Sequence, residues 1–313
     1  MGIPVKIEHI AASLMAISLA FTLSPAARAA DPFAADAAAG TGPYPAEMVT
    51  DSTLPGFTVY RPKDLRQLGS LRMPLVAWGN GGCANVGDSA KAFLSEIASQ
   101  GYLVIAVGPP KPLNVDGAAN KPGAGAAPRV GTHSSQLLDA LSWAAGQATR
   151  SGGDYAGHLD ITKMAVMGHS CGGLQALEVS ADPRISTSVI LDSGVLKDPP
   201  PFPMPGVVTN DKGELAKLHA PLIYIIGGPK DIAHDNAADD FARINQVPVF
   251  MANIEVGHGG TFAQPNGGAF AQVATAWLQW QLKGDASAAK MFSGSSCGLC
   301  TDAAWTVQAK NIH

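Results

Sequence analysis

The sequence predicts one α/β domain with a mostly parallel central sheet flanked by helices. Apolar runs of strand length alternate with segments of helical periodicity over 57–282 of the 313-residue chain. Most of these runs are continuous rather than alternating, which is typical of strands covered on both faces. No internal repeat, linker or shift in composition divides the chain. A single domain with right-handed strand–helix–strand crossovers is therefore expected.

The predicted strands are apolar runs that end at a glycine, a proline or a polar residue. They lie at 57–60, 71–79, 102–107, 161–167, 186–191, 222–226 and 247–256. The predicted helices carry apolar side chains at helical spacing. They lie at 89–100, 134–144, 174–179, 235–244 and 269–282.

Two segments rich in glycine or proline interrupt this pattern. The first, 109–131, has no periodicity and is either a binding loop or a tolerated insertion. The second, 199–205, is a proline-rich excursion. No large lid domain is expected.

Composition and charge limit the class of protein. Hydrophobic residues make up 46% of the chain and charged residues 15%, as in a globular protein. The formal net charge of −4 is too weak to indicate a nucleic acid or an anionic membrane as a partner. The histidines show no metal-ligand spacing, so neither a metal nor a cofactor is expected.

The first residues have the pattern of a signal peptide. Lys6 provides a positive start, 10–23 is apolar, and residues 27–29 supply an A-x-A cleavage site. We expect a signal peptide at 1–29 and a flexible leader at 30–42, with no membrane span in the mature chain. An amphipathic helix and a membrane anchor are the alternatives, although the apolar run is short for a bilayer. The expected location is secreted or periplasmic.

Residues 168–172 read G-x-S-x-G around Ser170. The apolar run 161–167 precedes this motif, and a helix-forming segment, 174–179, follows it. A strand, a sharp turn and a helix form the context of a nucleophile elbow, in which glycines make room for a strained serine. Ser170 is therefore the predicted nucleophile.

Acidic and basic partners for this serine follow later strands. Asp231 and His258 each come after an apolar run, and the carboxyl ends of parallel strands meet at one edge of a sheet. In a serine hydrolase the histidine takes the proton of the serine and the acid orients the histidine. Asp192, which also follows a strand, is the competing acid. The non-catalytic alternatives are that Asp231 only caps a helix and that His258 is only a turn residue.

Several stretches carry a resemblance to a known family. They are 42–44, 59–62, 168–173, 222–233 and 257–258. Through them the chain resembles the α/β-hydrolase superfamily over roughly 42–282. Within it, the chain is most similar to secreted, lid-poor lipase/cutinase-like and polyester-hydrolase esterases, and to the related chlorophyllase and dienelactone-hydrolase groups. The resemblance implies Ser170 as nucleophile, Asp231 as acid and His258 as base.

The oxyanion hole is expected to combine two backbone amides. One is the amide of Cys171, where the family often has Met, Gln or Arg; the other belongs to the loop 79–83. Spacing from the strand end favours Asn80, with Gly81 as the alternative. Because both amides approach one oxygen, we expect a Cys83–Cys171 disulfide. The alternative is two buried free thiols.

Four cysteines in an exported chain indicate two disulfides. Cys297–Cys300 is then a short staple in a C-terminal tail at 286–313, outside the hydrolase domain at 43–285. A redox or zinc C-x-x-C element is the alternative.

Together these features predict a secreted serine esterase that forms an acyl-enzyme on Ser170 and hydrolyses a small-molecule or polymeric ester. The alternatives are an amidase or peptidase with the same triad, and a non-catalytic binding protein on a hydrolase scaffold. His169 is expected to pack behind the nucleophile. Phe262, four residues after His258, either lines an acyl pocket or packs against the final helix.

Overall fold

The computed structural model describes residues 1–2, 39–111, 131–197 and 211–312. Nearly all of the predicted signal peptide, most of the leader and of the segment 109–131, and the proline-rich segment 199–205 lie outside these residues. The chain separates into two units, Met1–Asp31 and Pro32–His313. All the elements named below belong to the second unit.

One nine-stranded sheet organises this unit, in the order β1-β2-β4-β3-β5-β6-β7-β8-β9. The neighbours from β4 to β8 pair in parallel, whereas β1, β2 and β9 pair antiparallel at the two edges. The strands are β1 Ala46–Val49, β2 Phe57–Pro62, β3 Met73–Gly79, β4 Leu103–Val107, β5 Leu159–His169, β6 Ile185–Leu191, β7 Leu222–Ile226, β8 Val249–Ile254 and β9 Trp305–Lys310. The predicted α/β class with a mostly parallel sheet is confirmed.

Helices cover both faces of this sheet. They are α1 Lys91–Ser99, α2 Ser135–Thr149, α3 Cys171–Val179, α4 His234–Arg243, α5 Gly268–Lys283, α6 Ala286–Ala289 and α7 Gly298–Thr301. One apolar core lies between the sheet and α2, α3 and α4, and a second lies between the sheet and α1 and α5. None of the helices in the described part of the chain is long and apolar enough to cross a membrane.

The two cores explain why the inner strands are apolar without alternation. Successive side chains of a strand point to opposite faces. On β3, Leu75 and Ala77 enter the first core, and Val76 and Trp78 enter the second. All seven residues of β3 are buried. A strand that serves two cores has no position that faces solvent.

The segment 286–313, predicted as a tail, contributes α6, α7 and β9 to the same unit. Phe292 is buried against α5, where its ring centroid lies 5.1 Å from that of Trp277. Lys310 of β9 donates from Nζ to the carbonyls of Phe241 and Ile244 at 2.6 and 3.1 Å, at the end of α4. The strand β9 was not predicted, although its residues alternate between apolar and polar, because the segment was interpreted as a tail.

Candidate active site

The predicted elbow is a strand–turn–helix in which Ser170 is the single residue between β5 and α3. Its backbone has φ 52° and ψ −119°, a conformation that costs free energy for any residue other than glycine. The Ser170 amide donates to the Leu191 carbonyl at 2.9 Å, and its carbonyl accepts from the Ser193 hydroxyl at 2.7 Å. The end of β6 therefore holds the strained turn in place.

Close backbone packing explains the glycines of the motif. A Cβ atom on Gly168 would overlap the main chain of Gly172, and one on Gly173 would overlap the side chain of Ser193. A Cβ on Gly172 would overlap the main chain of Gly79 and Asn80. The loop that follows β3 thus lies directly against the first turn of α3.

The structure brings Ser170, His258 and Asp231 together in one chain of hydrogen bonds. Ser170 Oγ lies 2.9 Å from His258 Nε2, and His258 Nδ1 lies 2.6 Å from Asp231 Oδ1. The three residues follow β5, β8 and β7, all at the carboxyl edge of the sheet. The Asp231 side chain is buried, whereas 30% of the His258 side chain is exposed. The histidine is therefore open to a ligand from the solvent side.

Asp231 is held by the backbone as well as by the histidine. It accepts from the amide of Ala233 at 2.9 Å and from that of Gly227 at 3.2 Å. Burial alone would raise the pKa of Asp231, but the hydrogen bonds from His258 and Ala233 outweigh burial and hold the pKa at about 2. An ionised carboxylate only accepts hydrogen bonds, so Nδ1 of His258 carries its proton. Nε2 is then free to accept the proton of Ser170.

His169 supports the loop that carries His258. Burial lowers the pKa of His169 against the opposing effects of the His258 carbonyl and the Asp231 charge, so the ring is neutral at neutral pH. Its Nε2 donates to the His258 carbonyl at 2.9 Å. Phe262 packs with its ring centroid 4.7 Å from that of His169 and 5.5 Å from that of Phe270 in α5. Of the two predictions for Phe262, the structure thus shows the packing against the final helix.

Asp192, the competing acid, lies beside Asp231 and not at His258 Nδ1. It is fully buried at the end of β6 and has a φ of 44°. Burial first, and then the hydrogen bond and charge of Asp231, raise the pKa of Asp192 to about 9. The sequence placed both carboxyl groups after strands, and the resemblance favoured Asp231, the residue that contacts the histidine here.

The Asn80 side chain fixes the loop after β3, a role that the sequence did not reveal. Its Oδ1 accepts from Trp78 Nε1 at 2.9 Å and from Ser89 Oγ at 3.0 Å. Its Nδ2 donates to the carbonyls of Val107 and Ala84 at 2.6 and 3.0 Å. All four hydrogen bonds available to this buried amide are made. The Asn80 side chain is thus fully occupied, and only its backbone amide remains as a candidate for the oxyanion hole.

The two sides of the predicted oxyanion hole are covalently joined. Cys83 and Cys171 form a disulfide with a Cα–Cα distance of 5.1 Å. Cys171 is the first residue of α3, so its backbone amide has no carbonyl partner within the helix. A second disulfide joins Cys297 to Cys300. These are the two cysteine pairs that the sequence led us to expect.

Removing the two disulfides should destabilise the protein to different degrees. In the chain-entropy view a longer closed loop gives more stabilisation, so Cys83–Cys171, with a separation of 88, contributes about 4.5 kcal/mol. Cys297–Cys300, with a separation of 3, contributes about 1.5 kcal/mol. Urea unfolding measures both losses in two double variants, one with Cys83 and Cys171 replaced by alanine and one with Cys297 and Cys300 replaced. The second variant is the matched control for the first. Equal losses would contradict this interpretation.

Comparison with known proteins gives no assignment for the chain. No protein family model matches it, and no curated protein matches it. Within 39–111, 131–197 and 211–312, no group of three or more His, Cys, Asp or Glu side chains is placed to hold a metal ion.

Proposed function

We propose that the protein is a serine hydrolase with an α/β-hydrolase fold, and that it cleaves carboxylic esters through an acyl-enzyme on Ser170. The observation that carries the proposal is the continuous hydrogen-bond path from Ser170 Oγ through His258 to the buried Asp231. A free serine hydroxyl is a poor nucleophile, and a histidine oriented by a carboxylate activates it. The strained elbow exposes the hydroxyl at the edge of the sheet.

In the proposed reaction Ser170 Oγ attacks the ester carbonyl while His258 Nε2 takes its proton. Asp231 stabilises the imidazolium that forms. His258 then gives the proton to the departing alcohol. A water molecule, activated by the same histidine, hydrolyses the acyl-enzyme and restores Ser170. Every proton transfer in the proposed reaction passes through one nitrogen, His258 Nε2.

The negative charge on the tetrahedral intermediate needs two donors that are already in position. We assign the Cys171 amide as the first, because it is the residue after the nucleophile and lies at a helix N-terminus. The second comes from the loop between β3 and α1, where Asn80 and Gly81 are the candidates. The Cys83–Cys171 disulfide and the contact of Gly172 with Gly79 support this pairing of the two segments.

We further propose that the protein is exported to an oxidising compartment. The two disulfides are consistent with the secretory or periplasmic route that the first residues predict. The acyl and alcohol parts of the ester are left to experiment, beginning with p-nitrophenyl esters of increasing acyl length and a polyester film.

A fluorophosphonate probe tests the proposal because it reacts only with an activated serine. We expect one adduct, at Ser170 by peptide mass spectrometry, and no adduct in Ser170→Ala. Turnover of p-nitrophenyl esters should exceed that of the matching p-nitroanilides. Faster anilide cleavage would indicate an amidase or peptidase. A folded protein that neither reacts with the probe nor cleaves any ester would be a binding protein instead.

A further inference from the structure

The carboxyl group of Asp192 lies beside that of Asp231 and has no lysine or arginine as an ion-pair partner in the described part of the chain. The residue is fully buried at the end of β6. Among the residues that the structure describes, no donor makes a well-aligned hydrogen bond with either of its carboxyl oxygens, and only the Gly227 amide lies near enough to favour its charged form. His169 Nε2 is 3.6 Å from Oδ2, but it donates to the His258 carbonyl at 2.9 Å. The neutral ring of His169 therefore supplies no compensating charge.

The groups that face Asp192 come from the ends of three other strands. His169 ends β5, Asp231 follows β7 and His258 follows β8. Asp231 is an anion within hydrogen-bonding reach of Asp192, and His258 already donates from Nδ1 to Asp231. The described part of the chain places no lysine or arginine in an ion pair with Asp192. A second carboxylate here would be desolvated and repelled by the first.

We propose that Asp192 is a positioning residue that carries a proton at neutral pH and donates it to the carboxylate of Asp231. This hydrogen bond satisfies Asp192 without a cation. It also gives Asp231 a second side-chain hydrogen bond besides that of His258, so that one negative charge, not two, lies near the histidine. The catalytic consequence rests on the proposed function, whereas the position of the proton does not.

The acid–base balance of the two carboxyl groups agrees with this arrangement. Burial, followed by the hydrogen bond and charge of Asp231, raises the pKa of Asp192 to about 9, while His258 and the Gly227 amide oppose the shift. For Asp231, burial opposes ionisation, and the hydrogen bonds from His258, Ala233 and Asp192 overcome it. The proton shared by the two side chains therefore resides on Asp192 at neutral pH.

Infrared spectroscopy of the protein labelled with ¹³C-aspartate tests the position of the proton without any substrate. We expect an isotope-sensitive band of a protonated carboxyl group at neutral pH, lost as the pH rises above about 9. The band should be absent from Asp192→Asn and retained in Asp240→Asn. Asp240 is the matched control because it is also buried but pairs with Lys212 at 2.8 Å. Absence of the band from the wild-type protein at neutral pH would overturn the proposal.

Folding stability gives a second readout that does not require activity. Between the unfolded pKa of about 4 and the folded pKa of about 9, the folded Asp192 binds a proton that the unfolded chain does not bind. Its contribution to stability therefore falls as the pH rises through this window. Asparagine does not titrate, so the Tm of Asp192→Asn relative to the wild type should rise steadily from pH 5 to pH 8. A constant difference would contradict a raised pKa.

The pH profile of ester hydrolysis tests the positioning role itself. Asp192→Asn keeps an N–H donor towards Asp231, so kcat at neutral pH should stay near the wild-type value. The variant should also lack the wild-type loss of activity above about pH 9. Asp192→Leu has no donor, and kcat should fall about tenfold. If activity fell in the same way above about pH 9 in the wild type and in Asp192→Asn, Asp192 would not have the positioning role. If the wild type cleaves no ester, the proposed function fails, and the infrared band still locates the proton.

Discussion

Replacing Ser170 with alanine should lower kcat for ester hydrolysis by about 10⁶-fold, the loss known for the nucleophile of a serine protease. The Ser170 hydroxyl is hydrogen-bonded to His258 Nε2, and alanine removes the atom that we propose forms the acyl-enzyme. The contacts that hold the turn, from the Ser170 amide to Leu191 and from Ser193 to the Ser170 carbonyl, are made by the backbone of residue 170 and remain. The measurement is kcat on a p-nitrophenyl ester, with circular dichroism as the check on folding.

A surface serine provides the control for this substitution. Ser142 lies on the exposed side of α2 and donates to the Leu138 carbonyl at 2.7 Å. Ser142→Ala should therefore leave kcat unchanged. If a folded Ser170→Ala protein kept more than a tenth of the wild-type kcat, the nucleophile would have to be sought elsewhere.

Replacing Asp231 with asparagine should lower kcat by about 10⁴-fold, as the corresponding change does in a serine protease. The carboxylate now accepts from His258 Nδ1 at 2.6 Å. An amide NH₂ in its place donates to Nδ1 and moves the ring proton to Nε2. Nε2 then cannot accept the proton of Ser170. Binding of a fluorophosphonate should slow in parallel, because it needs the same proton transfer.

Asp192→Asn is the matched control for Asp231→Asn, because both residues are buried carboxyl groups at strand ends. We expect it to leave kcat at neutral pH nearly unchanged. This pair of variants decides between the two acids that the sequence left open. A larger loss in Asp192→Asn than in Asp231→Asn would reverse the assignment of the acid.

The inner strands β3 and β4 could be predicted because they serve two cores and are apolar throughout. The short edge strand β1 could not, because its residues are mixed, whereas β9 alternates between apolar and polar residues and was missed because it follows the helix taken as the end of the domain. The elbow around Ser170 was recognisable because close backbone packing requires glycine at the positions around the serine. The choice of Asp231 over Asp192 was supported by the family resemblance and not by the residue pattern, because the pattern does not show which of the two loops reaches His258 in the folded chain.

The antiparallel strand β9 has a consequence for any shortened form of the protein. It pairs along the whole of β8, whose first five residues are buried. A chain that stopped before Trp305 would leave an open row of amide and carbonyl groups on an apolar strand, and such an edge recruits strands from other molecules. Such a truncation would create a seed for aggregation, although it is distant in sequence from Ser170 and His258.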